Sequence, residues 1–589
     1  MTHQPLSLRW ASAALVLALA LPSLPAQPVG GLVGEPPDTS HWPPPASPPG
    51  HPFPRSTAPD EEIKLRDAIA RLGKALFWDE QVSVDNTMAC GTCHLTELGG
   101  TDGRRGAVFF GDPVNDGNFG AFGVIPQAKD ANGDIAYGFT NPPSSSIDRL
   151  VTPVFTPTMI GAYLFVNQFW DMRSGPGFGP SDLQNAPPFP NFQVNASLED
   201  QAVKPPISDV EMGHQGIQWS DGLLQKKLNA SFPLALVDPA TIPPDLLPMV
   251  NAGVTYRKLF DDLFANHPDF GGSIGVTRER FAMAIAHYER TLIPDRAPID
   301  LGTMTPSQLA GFQLMKPPRA FCFSCHSHSG NPQINPLTGK LADPFDNLFS
   351  DGHLHQIFVT PTSPPRKTPT LRNVGLHKKF FSTGHGGDGV TKRFVTNLDE
   401  LISFYDEQDD RFGFVGTLTD AERAQVRDFL ENALTDPRVR NRQFPFDRPQ
   451  LASERPEFVF EGNEYGQGTA GASGLVPEII ANAPPHVPPA STSISPPKWF
   501  KVGVGLAAPN ALAVLLVSNS PGPGPVYWVG PPFVAVPAGS TNAQGIGTVF
   551  TPFPLTPAAI GIPVYVQWVL DDGGTRALSD AAEFVPFQF

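Results

Sequence analysis

Apolar residues recur at helical spacing in several stretches between residues 60 and 440. Leu65, Ile69, Leu72 and Leu76 follow one another at steps of four, three and four, behind Asp60 as a cap with Glu61 and Glu62 in the first turn. Thr277 opens a second helix, with Phe281, Ile285, Tyr288 and Leu292 on one face and Pro294 as the stop. Thr305-Pro306 opens a third. Thr419-Asp420-Ala421-Glu422 is a capping box ahead of Val426, Phe429, Leu430 and Ala433. Residues 99–150 show no period and much Gly, Asn and Pro, which predicts a long loop. The pattern changes after about 455. Residues 502–517, 526–536 and 564–570 are apolar and β-branched between Gly, Pro and Asn, which predicts short strands in a sandwich-like domain. The expected fold class is mainly α with a β-rich C-terminal domain.

Composition narrows the setting. The 589 residues allow about three or four domains. With 68 Pro and 55 Gly, long loops or linkers are required. The 41 basic and 57 acidic side chains give a net charge of −16, the wrong sign for a nucleic-acid binder. Arg9 followed by the apolar run 11–21 and a small residue, Ala26, reads as a secretory signal peptide over 1–26. Residues 27–59 are Pro-rich and read as a linker. No later stretch holds 18 uninterrupted apolar residues, so a periplasmic or otherwise exported protein without stable membrane insertion is expected.

All four Cys lie in two copies of one pattern, Cys90-Gly91-Thr92-Cys93-His94 and Cys322-Phe323-Ser324-Cys325-His326. C-x-x-C-H is the attachment signal for c-type haem: two thioethers form to the haem and the adjacent His ligates iron. The competing readings are two disulfides or a zinc site. With 14 His in 589 residues, a His behind both pairs is about a one-in-two-thousand coincidence. A four-Cys zinc site would leave both His unexplained. Two covalent haems c are therefore expected.

From about 60 to 445 the chain resembles the bacterial dihaem cytochrome c peroxidase and MauG family. Leu72-Gly73-Lys74-Ala75-Leu76-Phe77-Trp78-Asp79 stands where the family has LGKxLFxD. Thr156-Pro157-Thr158 leads to Phe169-Trp170-Asp171-Met172-Arg173, similar to FWDGR, and Ser197 to Ala202 leads to Val210-Glu211-Met212-Gly213, similar to VEMG. Phe281 to Ala286 with Glu289-Arg290-Thr291-Leu292 precedes the second motif, and Thr368 to Val374 and Phe380 to Gly384 follow it. The resemblance implies two cytochrome c-like haem domains, over 60–295 and 296–454, before a β-rich domain over 455–589.

The resemblance also assigns roles. Glu211 matches the distal carboxylate that moves a proton during peroxide cleavage. Trp170 matches an aromatic residue between the two haems. Tyr405 falls on the axial position of the second haem, where MauG-like members use Tyr; His328, His353, His355, His377 and His385 compete for that place. No His lies between His94 and His214, and 106–111 occupies the region of the family's sixth-ligand His, so the first haem is expected open without reductive activation. Phe155 stands where an Asn ligates the family's interdomain calcium. Asp130, Asn132 and Asp134 either supply another oxygen set or mark a turn, and calcium is left open.

The expected function is reduction of hydrogen peroxide with electrons from a small donor protein, a cytochrome c or a cupredoxin. The alternatives are a MauG-like oxidase of protein side chains or another substrate, and a non-catalytic dihaem electron carrier.

Overall fold

The computed structural model describes residues between 60 and 586, leaving out 104–151, 481–500 and shorter stretches, the longest being 408–416, 356–364, 455–462 and 181–187. The predicted signal peptide, the linker, residues 106–111 and Asp130, Asn132 and Asp134 lie outside the described residues.

Seven described helices have eight residues or more: α1 (Asp60–Phe77), α2 (Leu223–Ala230), α3 (Tyr256–Phe264), α4 (Arg278–Glu289), α5 (Pro306–Leu314), α6 (Leu398–Asp406) and α7 (Asp420–Asp428). Their starts follow from short polar side chains. The Thr277 hydroxyl accepts from the Arg280 amide at 3.2 Å. At α7 the box closes both ways, with Thr419 accepting from the Glu422 amide at 3.3 Å and Glu422 accepting from the Thr419 amide at 2.8 Å. Asn397 caps α6 by accepting from the Glu400 amide at 2.9 Å. Beyond α7 the chain widens into a π-turn, Phe429–Ala433, which keeps Phe429, Leu430 and Ala433 buried.

Two helix crossings organise the α region. α1 packs along α4 at Gly73, where a Cβ would stand 1.8 Å from the Ala284 carbonyl oxygen. α5 packs on α7 at Gly311, where a Cβ would stand 2.1 Å from the Gln425 carbonyl oxygen. Each crossing precedes one C-x-x-C-H motif, and each has its own core. The first core runs from Ile69 through Phe281 and Tyr288 and takes in Val439, Phe446 and Leu451. The second joins Phe312, Phe323, Phe349, Leu401 and Phe429.

Strands are few before residue 460. Two-residue pairs join β1 (Leu354–His355) to β2 (Arg366–Lys367) and β3 (His385–Gly386) to β4 (Arg393–Phe394). The C-terminal region holds β5 (Asn463–Tyr465), β6 (Glu478–Ile480), β7 (Lys501–Gly505), β8 (Leu512–Ser518), β9 (Val534–Ser540), β10 (Gly547–Phe550), β11 (Val564–Asp572) and β12 (Thr575–Phe584). They form an antiparallel five-stranded sheet, β5-β12-β11-β8-β9, and a three-stranded sheet, β10-β7-β6. Ile479, Val502, Val504 and Val549 from the smaller sheet share one core with Leu515, Val566, Trp568 and Phe584 from the larger. Helices followed by a β region are thus as expected. Within it, 502–517 is two strands, parted where Leu506 and Asn510 turn at φ of 51° and 59°. Of 526–536 only the end from Val534 is strand, because Pro531 and Pro532 bring no amide to a ladder. No helix among the described residues is long and apolar enough to cross a membrane.

Candidate functional site

Cys90–Cys93 winds into one helical turn, and the His94 amide donates to the Cys90 carbonyl at 3.2 Å. His94 Nδ1 lies 3.1 Å from the Gly100 carbonyl oxygen. A carbonyl only accepts, so Nδ1 carries the proton and Nε2 keeps its lone pair for a metal. Burial holds the imidazole down to about 4, so it is neutral. The Phe77 ring packs tilted against His94, at 54° with the centroids 5.9 Å apart. The following loop is tied down by Arg448, which donates to Glu97 at 3.1 and 2.5 Å and to Glu454 at 2.7 and 2.9 Å.

The second motif repeats this chemistry. Cys322–Ser324 is a single 3₁₀ turn, and the His326 amide donates to the Cys322 carbonyl at 2.9 Å. His326 Nδ1 lies 3.2 Å from the Phe349 carbonyl oxygen, and burial brings His326 to about 4. All four Cys are free thiols. A disulfide reading therefore has no support in the structure, while both His present Nε2 unprotonated beside a thiol pair. The residues present fit a covalently held haem at each motif.

Glu211 stands in a turn after Ser208, whose carbonyl accepts from its amide at 3.3 Å. Burial raises the Cys90 thiol, and the carboxyls of Glu289 and Glu211 raise it further, which puts both acids at the first motif. Glu289 was not singled out by the sequence. It is buried, its Oε2 has no hydrogen-bond partner, and burial pushes it up to about 8 against the pull of Arg290. Its sequence signals were its place in the Glu289-Arg290-Thr291-Leu292 stretch and on the core face of α4, one turn beyond Ile285, neither of which assigned it a role.

A cavity of about 480 Å³ opens on the second motif and is lined by Cys322, Cys325 and His326 together with Trp170, Tyr405, His355 and His377. Trp170 is held at both ends: its indole donates to the Phe155 carbonyl at 2.7 Å, and its carbonyl accepts from the Lys367 amide at 2.7 Å. Tyr405 comes from α6, whose Leu398, Leu401 and Ile402 are buried on the same side. Burial pushes its phenol well above the ordinary range, and the thiols of Cys322 and Cys325 push it further, so it faces them. Of the competing histidines, His355 lines the cavity, but its Nε2 pairs with Asp351 at 2.6 Å and its Nδ1 lies 3.8 Å from Cys325 Sγ. Cys325, Asp351 and His355 could gather a metal ion, but a thioether at Cys325 would use the sulfur. His377 also lines the cavity, and its buried Nε2 has no hydrogen-bond partner. His328 packs on Phe345 and His353 is exposed; neither lines the cavity. The His385 side chain lies outside the described residues.

The two motifs are close. Thr101 and Asp102, just after the first, line the cavity of the second, and the His377 ring packs against Gly99. Residues 67–304 match the model of the di-haem cytochrome c peroxidase family. Over this region the chain is similar to that family. Cytochrome c peroxidase Ccp of Escherichia coli (strain K12) is 24% identical over 356 residues, 56% of this chain and 56% of that protein. The cytochrome c551 peroxidase of Pseudomonas aeruginosa is 24% identical over 342 residues, 55% of this chain and 72% of that protein. The chain thus spans little more than half the length of the first of these relatives. A MauG-like protein associated with microbial copper homeostasis covers 69% of this chain and 96% of its own at 18% identity, with a TM-score of 0.40, too slight a likeness to argue from.

Proposed function

We propose that this chain is an exported dihaem peroxidase that reduces hydrogen peroxide to two waters, taking up two electrons and two protons. The observation that carries it is the pair of C-x-x-C-H turns, each with its His Nδ1 on a carbonyl, the second opening on a cavity that also takes in Trp170 and, just after the first turn, Thr101 and Asp102. Haem c attached at Cys90 and Cys93 and at Cys322 and Cys325 would supply the redox chemistry. His94 and His326 would hold the irons. Glu211 takes a proton from the inner peroxide oxygen and returns one to the leaving oxygen. Trp170 lies on the route between the sites, and a small cytochrome c or cupredoxin delivers electrons to the His326 side. Two cytochrome c-like domains, 60–295 and 296–454, carry this, with the two C-terminal sheets facing one another as a sandwich over 455–589. The test is to add peroxide to the purified protein with and without reduced donors and follow the haem spectra. Rapid reoxidation of a donor cytochrome is expected. A protein with no haem mass, or with two haems inert to peroxide, would leave the peroxidase reading without support, the second outcome favouring a plain electron carrier.

One observation favours the MauG-like alternative. Tyr405 faces the thiol pair of the second motif, where a phenolate would be a hard, anionic axial ligand that stabilises ferric iron. Tyr405→Phe is expected to change the ferric spectrum of the second haem and raise its midpoint potential. If neither moves, Tyr405 is a packing residue and His377 is the next candidate.

A further inference from the structure

The wall of the second motif's cavity carries a cation that the proposed reaction does not use. Lys367 is 6% exposed, yet its amine meets no carboxylate. Its Nζ donates to the Asn167 carbonyl at 2.9 Å and lies 3.8 Å from the centre of the Phe165 ring. Arg366, beside it on β2, also lines the cavity without a carboxylate partner among the described residues. An ammonium taken out of water and left unpaired is costly, so such a site calls for an anion. Burial alone draws Lys367 down to about 7. The remaining wall is largely apolar, with Phe380, Leu401 and Leu430, and holds no cluster of acids beyond Asp102.

We propose that Lys367, assisted by Arg366, binds a carboxylate of the group seated at the second motif, namely a haem propionate. This rests on the reading that haem attaches at Cys322 and Cys325. Thioethers would fix the vinyl side of a haem at the C-x-x-C turn, which leaves its two propionates to the rest of the wall, and both cations line that same cavity. The same residue reaches the interhaem route. The Lys367 amide donates to the Trp170 carbonyl, and its Nζ to Asn167 in the same turn. Lys367 is therefore a positioning residue that ties the propionate edge of the second haem to the turn carrying Trp170. The cavity is also lined by Asp102, His355 with its Asp351, His377, Lys379 and Tyr405, whereas the contacts to Asn167 and to Trp170 both belong to Lys367.

The test compares Lys367→Met and Lys367→Arg holoprotein by mass and by redox titration of both haems. Two haems by mass are expected in each. A cation beside a haem favours the reduced state, so Lys367→Met should move the second haem's midpoint to more negative potential, leave the first unmoved, and be largely reversed in Lys367→Arg. An unchanged second midpoint overturns the proposal, and so does a shift that Arg fails to restore, since packing alone would produce it. If Lys367→Met fails to take up its second haem, Arg366→Gln carries the same test at a half-buried position: a smaller negative shift supports the clamp, and no shift overturns it. Absence of haem from the unaltered protein would instead refute the haem reading itself.

Discussion

Glu211 and Glu289 are two carboxyls at one motif with different tasks. Glu211 is partly exposed, and under the proposed role Glu211→Gln is expected to leave two haems attached while slowing the peroxide reaction by about 10²–10⁴-fold. Stopped-flow mixing with peroxide checks this, and unchanged rates would remove Glu211 from the reaction. Glu289 is buried and stands at about 8, above its ordinary 4.5. The folded state then holds this proton more tightly than the unfolded state, so its contribution is fully present below about 4.5 and is lost as pH rises through about 8. Each unit of that difference is about 1.4 kcal/mol. Glu289→Gln should therefore melt higher than the unaltered protein at pH 8 and close to it near pH 4.5, whereas parallel melting curves would show that Glu289 does not titrate on unfolding. At this scale the sequence was legible where chemistry demands contiguous residue types, as in Cys90 to His94. The roles of Glu289 and Lys367 were not legible, because what sets them apart is burial without an ion pair among the described residues, which only the packing of α4 and β2 creates.

The elements were read from local signals, and they hold where those signals are local. Thr277, Thr305 and Thr419 cap the helices they were expected to cap, because the hydroxyl satisfies an amide three residues away in the same segment. The β region was harder. β12 contains Ala577, Asp580, Ala581 and Ala582, poor strand formers, and owes its place to pairing with β11 across the Gly573-Gly574 turn, where both φ values are positive at 61° and 85°. That turn was the available signal. The two glycine crossings are another feature that spacing alone does not reveal, since Gly311 reads as a flaw in α5 until α7 is laid against it. Gly311→Val places two methyl groups against the Gln425 carbonyl and the Phe429 side chain. It is expected to cost about 1–3 kcal/mol or more, by overpacking. Denaturant unfolding followed at the second haem should show a lower midpoint, with the ferric spectrum of the first haem preserved. An undisturbed midpoint would mean that α5 and α7 can part without loss.

The halves of the α region are not independent bodies joined by a linker. The chain leaves the second core at Leu434, then returns Val439, Phe446 and Leu451 to the first. Arg448 seals that return by holding Glu97, just after the first motif, and Glu454. Lys74 of α1 adds a second seal with Asp447 at 2.7 Å and Asp245 at 3.0 Å. The segment 437–454 therefore belongs to the first site as much as to the second, although nothing in its own sequence announces the distant partners. The β region differs: among the described residues, its core draws only on residues from Ile479 onward. The two facts together predict where the chain tolerates cutting. A protein ending at Glu454 should export, attach two haems by mass, and react with peroxide at rates within a few-fold of the full chain. One ending at Asp436 should lose the Arg448 and Asp447 contacts and the three returning core residues, exposing Trp78 and the loop at Glu97, and should fail to keep its first haem stably. If the shorter and longer truncations behave alike, the returning segment is dispensable. If the protein ending at Glu454 fails to take up haem, the β region supports the α region through contacts beyond those of its own core.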